Sequence, residues 1–113
     1  MRIEEENING ILAVRVMDNR IDASSAASFK GRMADIVARG DRLLILNLAA
    51  VEFIDSTGLG AIVSALKAVG QGGELVITNP QETVMSLLRL TRMNRVFRIY
   101  ASEQEALGAL ADR

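Results

Sequence analysis

Hydrophobic residues in this chain alternate between two spacings, and the switches mark out its elements. Residues 2–17 predict a hairpin: Asn9-Gly10 is a strong two-residue turn signal, and Ile11-Leu12-Ala13-Val14-Arg15-Val16 follows as a strand. Asp18-Asn19-Arg20 breaks that strand, and Ile21 leads to Asp22, read as a helix N-cap. Phe29, Met33, Ile36 and Val37 then recur at helical spacing, with Gly40 as the stop. Leu43 to Leu48 is a nearly continuous apolar run, as expected of a central strand covered on both faces. Leu59, Ile62, Val63 and Leu66 form one stripe of a helix running from Leu59 to about Val69, closed by Gly70-Gln71-Gly72-Gly73.

Glu74-Leu75-Val76-Ile77-Thr78 reads as a further strand. Asn79-Pro80-Gln81-Glu82 is a compact helix start, with Asn as cap, Pro at the first helical position and Glu reaching back, and Val84, Leu87 and Leu88 supply the buried face. Val96 to Tyr100 predicts a last strand. Ser102-Glu103-Gln104-Glu105 is a second capping box, opening a terminal helix whose Ala106, Leu107 and Leu110 face inward. No linker, low-complexity tract or internal repeat interrupts the series. The order predicts an α/β fold: one compact domain over residues 1–113, a mixed β-sheet with an N-terminal hairpin and alternating helices.

Composition narrows the chemistry. The 113 residues suit one domain, and half are hydrophobic, enough for a core without disulfides or metal. No cysteine is present, which removes thiolate nucleophiles, cysteine-ligated zinc and disulfide frameworks. No histidine is present either, which removes Ser-His triads, histidine phosphotransfer and the commonest general base. A net charge of −1 argues against nucleic acid as the main partner. The acidic start Met1-Arg2-Ile3-Glu4-Glu5-Glu6 is unlike a signal peptide, and no run is long enough to span a membrane. A soluble cytoplasmic protein is expected.

The stretch Phe53-Ile54-Asp55-Ser56-Thr57-Gly58-Leu59-Gly60 joins the central strand to the helix after it. Its plain reading is a connection: Asp, Ser and Thr cap helices, and the glycines permit a tight turn. Three small polar residues and two glycines exceed what one cap requires, and Gly58 and Gly60 thin the side chains so that another protein can come close. A phosphate added to Ser56 would sit at a helix N-terminus, where free N–H groups and the macrodipole favour negative charge. Rival chemistries fit poorly. Gly58-Leu59-Gly60-Ala61-Ile62-Val63 lacks the third glycine of a dinucleotide fingerprint, and no Gly-Lys-Ser/Thr loop occurs. A nucleophile elbow around Ser56 would need glycine where Ile54 stands. Asp22 is expected at the same sheet edge as Ser56, where ligand and partner sites gather in α/β folds. An acid–base pair of Asp22 and Asp55 is conceivable, but no spacing brings them together. Arg89, Arg92, Arg95 and Arg98 recur every third residue, which reads as a solvated surface ahead of a basic patch for an acidic partner. Met17, Met33, Met85 and Met93 are read as core filler.

Together, the Phe53–Gly60 stretch, the paired N-terminal strands, the Arg20-Ile21-Asp22-Ala23 turn before a helix with Phe29, and the strand ending in Asn79-Pro80 closely resemble STAS domains, in particular the bacterial anti-sigma factor antagonists. The resemblance implies a non-enzymatic partner switch with no cofactor of its own. The unphosphorylated form binds an anti-sigma factor that is also a serine kinase and supplies its own ATP. That kinase phosphorylates Ser56, binding is lost, and a serine phosphatase restores it. Asp22, Asp55, Ser56, Thr57, Gly58, Leu59 and Gly60 would form the docking surface, with no role for nucleic acid or membrane. The chain departs from the family pattern at Asn47, where an Asp is frequent, and at Asn19, where a Gly is frequent. The resemblance also admits members without a kinase cycle, serving as scaffolds in stress-sensing assemblies or as small subunits of lipid transporters.

Overall fold

The computed structural model describes residues 1–111. Strands β1 (Ile3–Ile8) and β2 (Ile11–Val16) form the expected hairpin, paired from Ile3–Val16 to Ile8–Ile11. Asn9 and Gly10 both take positive φ, 54° and 88°, as a tight turn matched to strand twist demands. The main sheet runs β1-β2-β4-β6-β7, with β4 at Leu43–Asn47, β6 at Glu74–Thr78 and β7 at Ile99–Tyr100. Only β1 is antiparallel to its neighbour.

Three parallel crossovers step across the sheet in one direction, through α1 (Ala26–Ala38), α2 (Ser56–Val69) and α3 (Glu82–Leu90). Right-handed crossovers of one sense place their helices on one face. Phe29, Met33 and Ile36 of α1, Leu59, Ile62 and Ala65 of α2, and Val84 and Leu88 of α3 share one core with Leu44, Leu46, Leu75 and Ile77. Helix α4 (Glu103–Ala111) covers the other face, where Ala106 and Leu110 pack on Ile11, Ile45 and Val76. Alternate residues of β4 thus serve two cores, which is why its sequence is apolar at successive positions.

Several boundaries differ from the expectation, each for a local reason. Helix α1 starts at Ala26 with Ser25 at its cap, not at Asp22. The Asp22 carbonyl accepts from the N–H groups of Ser25 and Ala26, so Asp22 organises the turn just ahead of the helix. Asn79 is not a helix cap: its N–H donates to the Tyr100 carbonyl and its φ of 57° turns the chain, leaving Gln81 as the cap of α3. Glu82 pairs with Arg89 instead of reaching back. Helix α2 begins three residues earlier than read, at Ser56. The last strand is shorter than Val96–Tyr100. Residues Met93–Arg95 form a 3₁₀ turn, and the Phe97 N–H bonds to the Met93 carbonyl, so only Ile99 and Tyr100 are free to pair regularly. Of the methionines read as core, Met33 is buried, Met85 and Met93 pack against the core, and Met17 is exposed.

Asn47 acquires a role from packing. Its amide nitrogen donates to Glu103 at 2.6 Å and its oxygen accepts from the Ala49 N–H at 2.8 Å. Glu103 also takes two 2.8 Å bonds from the Arg15 guanidinium. The Arg15 guanidinium above all holds the Glu103 carboxyl below its ordinary pKa; burial pushes the other way, and the Asn47 amide adds a lesser downward pull. An Asp at position 47 would oppose Glu103 with like charge, so the amide and this carboxylate belong together.

Candidate functional site

Two short strands absent from the sequence reading carry the site. β3 (Arg20–Ile21) and β5 (Phe53–Ile54) pair in parallel as a separate ribbon at the edge where the parallel strands end. The Asn19 carbonyl accepts from the N–H groups of Glu52 and Phe53, and the Ile21 carbonyl accepts from the Asp55 N–H. Ile21 and Ile54 are buried, so alternation turns Arg20 and Phe53 outward. The Arg20 guanidinium sits 4.3 Å from the centre of the Phe53 ring, a cation–π contact, and Phe53 remains 42% exposed.

Asp55 caps α2 and ties it to the Asp22 turn. One carboxylate oxygen accepts from the Gly58 N–H at 2.8 Å, the other from the Ala23 N–H at 3.0 Å. The helix N-terminus, the ribbon and the turn before α1 are thereby one hydrogen-bonded unit. Gly58 permits the closest approach in it. A Cβ there would lie 2.0 Å from the Ile21 carbonyl oxygen, so residue 58 has no room for a side chain.

Asp22 sits beside this lock. Its carboxylate accepts from the Ser24 hydroxyl at 2.7 Å, the Ser24 N–H at 3.0 Å and the Arg20 guanidinium at 3.0 Å. The Ser24 hydroxyl, then Arg20, bring its pKa down to about 2. A carboxyl so firmly ionised does not deliver protons near neutrality, and both oxygens of Asp55 are spent on backbone N–H groups. The acid–base pair weighed from the sequence has no support in this geometry.

Ser56 is the first residue of α2 and is exposed, as is Thr57. The Ser56 hydroxyl has no hydrogen-bond partner among the described residues. Gly60, one turn on, is exposed and faces open space. Gly58 and Leu59, expected on the docking surface, are instead buried: Gly58 against Ile21, Leu59 in the main core. They hold the surface from beneath. Asp22, Asp55, Ser56, Thr57 and Gly60 do converge at one sheet edge, as expected. Sequence reasoning missed Arg20 and Phe53. The available signal was their alternation with Ile21 and Ile54, too short to read as strands. The four arginines make no stripe: Arg89 lies in the last turn of α3, Arg92 takes a left-handed backbone, Arg95 ends the 3₁₀ turn and Arg98 lies just ahead of β7.

A family model described as STAS domain matches residues 2–106. The chain is 30% identical over 112 residues to an anti-sigma F factor antagonist of Paenibacillus polymyxa, covering 97% of this chain and 95% of that protein. The crystal structure of an anti-sigma factor antagonist from Mycobacterium paratuberculosis superimposes with a TM-score of 0.89 at 24% identity, over 97% and 93% of the two chains. The Bacillus cell fate determinant SpoIIAA in its phosphorylated form shares the fold, with a TM-score of 0.70 at 17% identity over 96% and 98%. No helix among the described residues is long and apolar enough to cross a membrane. With the model match spanning most of its length and a relative of this similarity along nearly all of it, the chain belongs to the STAS domain family.

Proposed function

We propose that this protein is an anti-sigma factor antagonist that binds an anti-sigma factor with serine kinase activity when Ser56 is unmodified, and lets go when Ser56 is phosphorylated. The observation that carries the reading is the state of Ser56: an exposed, unbonded hydroxyl at the first position of a 14-residue helix, mounted on a junction whose hydrogen bonds do not use it. Relatives with the antagonist role, and SpoIIAA in a phosphorylated form, support the same assignment.

The physics separates folding from binding. A phosphoserine brings up to two negative charges and several acceptor oxygens. At the start of α2 those charges meet the positive end of the helix dipole, so the domain tolerates them. In a docked interface the same charges, beside the Asp55 carboxylate, face desolvation and like-charge repulsion. A penalty of about 3 kcal/mol weakens binding roughly a hundredfold. Asp22, Asp55, Thr57 and Gly60 then frame the contact, while Gly58 and Leu59 keep its shape from below.

Incubation with the cognate kinase and ATP, followed by peptide mass spectrometry, should place one phosphate on Ser56. Ser56→Ala should bind the kinase and resist phosphorylation. Ser56→Asp should lose affinity with its melting temperature nearly unchanged. Unaltered affinity in Ser56→Asp would overturn the charge argument, and no phosphate at Ser56 would reduce the protein to a passive scaffold.

A further inference from the structure

The surface along the β7 edge of the sheet carries a separate message. Between Thr83 and Ser102 the chain has four arginines and no carboxylate, in a protein of net charge −1, so the remainder carries −5. This stretch leaves α3, passes through a left-handed Arg92 (φ 61°) and the Met93–Arg95 turn, and enters β7. Arg89 and Arg98 are engaged by Glu82 and Glu74 at 3.0 and 3.3 Å. Arg92 and Arg95 are exposed and have no anionic partner among the described residues.

Large apolar side chains stand among these cations. Leu90 is 83% exposed and Val96 52%, the two most exposed of the chain's large hydrophobic residues. Beside them an open concavity of about 570 Å³ is lined by Met85, Arg95, Val96, Arg98 and Tyr100. Phe97 closes its floor and is itself buried. Exposed apolar groups rimmed by uncompensated charge mark an interaction surface, and the sign of that charge names the complement.

We propose that the Leu90–Tyr100 surface is a docking site for an acidic segment of a protein partner that also carries apolar side chains. The concavity supplies a seat for an apolar side chain, which a flat lipid surface would leave empty. A second copy of this chain is a poor complement. Its acidic β1 edge already spends Glu5 on Arg32 and Arg39, and Glu6 on Arg15. The concavity flanks the β7 edge strand and none of its lining residues belongs to the Ser56 junction, so the site is separate from the switch and goes beyond the function proposed above.

The test uses the full chain, isotope-labelled, titrated with a synthetic peptide rich in Glu and Leu. Amide shifts should concentrate at Leu90–Tyr100 and weaken as salt rises. The Arg92→Glu/Arg95→Glu variant should lose at least about tenfold in affinity, the scale of a close charge pair. Lys30→Glu/Lys67→Glu, an equal double reversal on α1 and α2, should bind like the parent. Equal binding by the double variant, or no shifts with peptide in large excess, would overturn the proposal. So would binding to phosphatidylserine vesicles without binding to the peptide, or self-association abolished by the double variant.

Discussion

The Ser56 junction and the β7 edge of the sheet are built on opposite plans. At the Ser56 edge, backbone hydrogen bonds and capping carboxylates knit β3, β5, the Asp22 turn and α2 together, and the Ser56 hydroxyl is left outside the network. At the Leu90–Tyr100 edge, a left-handed arginine and a single 3₁₀ turn hang on one buried aromatic, Phe97, with its cations largely unspent. The first edge is a rigid mount on which a change of charge stays local. The second is a surface built on one short turn, and its charge is permanent. A rigid mount suits a switch, because modification then alters affinity without altering the fold. Permanent charge suits steering and adhesion.

The sharpest way to break this contrast is at its two anchors. Phe97→Ala should destabilise the domain by about 4 kcal/mol, the usual cost of removing a fully buried Phe. If the second edge is held mainly by that ring, hydrogen exchange should accelerate around residues 90–100 well before it does at β3 and β5. Exchange rising equally at both edges would show that they are one cooperative unit.

Gly58→Ala comes next. The new Cβ must push the Ile21 carbonyl away, so we expect a loss on the order of 3 kcal/mol in urea unfolding. If the proposed function holds, affinity for the kinase should fall with it, since the Asp22 turn moves. An alanine variant of parental stability would show that the junction yields easily.

The smallest effect is a pH response confined to the first edge. Asp22 is depressed from 3.8 to about 2 in the folded protein, so the native state binds fewer protons than the unfolded chain in that interval. Its contribution is therefore complete above about pH 4 and fades as pH falls toward 2. Chemical shifts of Ala23, Ser24 and Ser25 should follow that titration while those of Arg92 to Val96 stay flat. Asp22→Asn should abolish the response.

Much of this architecture was written in local pattern. The Asn9-Gly10 hairpin, the double-faced run of β4, the stripes of α1 and α2 and the Ser102 cap depend on spacing and turn chemistry within a few residues, and they formed where those rules put them. So did the convergence of Asp22 and Ser56 at one edge, which follows from alternating strands and helices. The misplaced boundaries share a cause. Asn79 and Asp22 have good capping side chains, but distant partners, the Tyr100 carbonyl in one case and the Asp55 carboxylate that accepts from the Ala23 N–H in the other, decided how the chain turns there.

What sequence alone determined was the identity of the longer elements, the exclusion of histidine and cysteine chemistry, and the presence of a small polar motif ahead of an apolar helix. Each of those is carried by residues close together in the chain. Tertiary structure alone decided that Arg20 stacks on Phe53, that Gly58 must stay bare beneath the Ile21 carbonyl, and that Asn47 answers to Glu103. Those facts join residues separated by roughly thirty to sixty positions. Contacts of that separation leave no periodic trace in a single chain, because only packing brings the partners together.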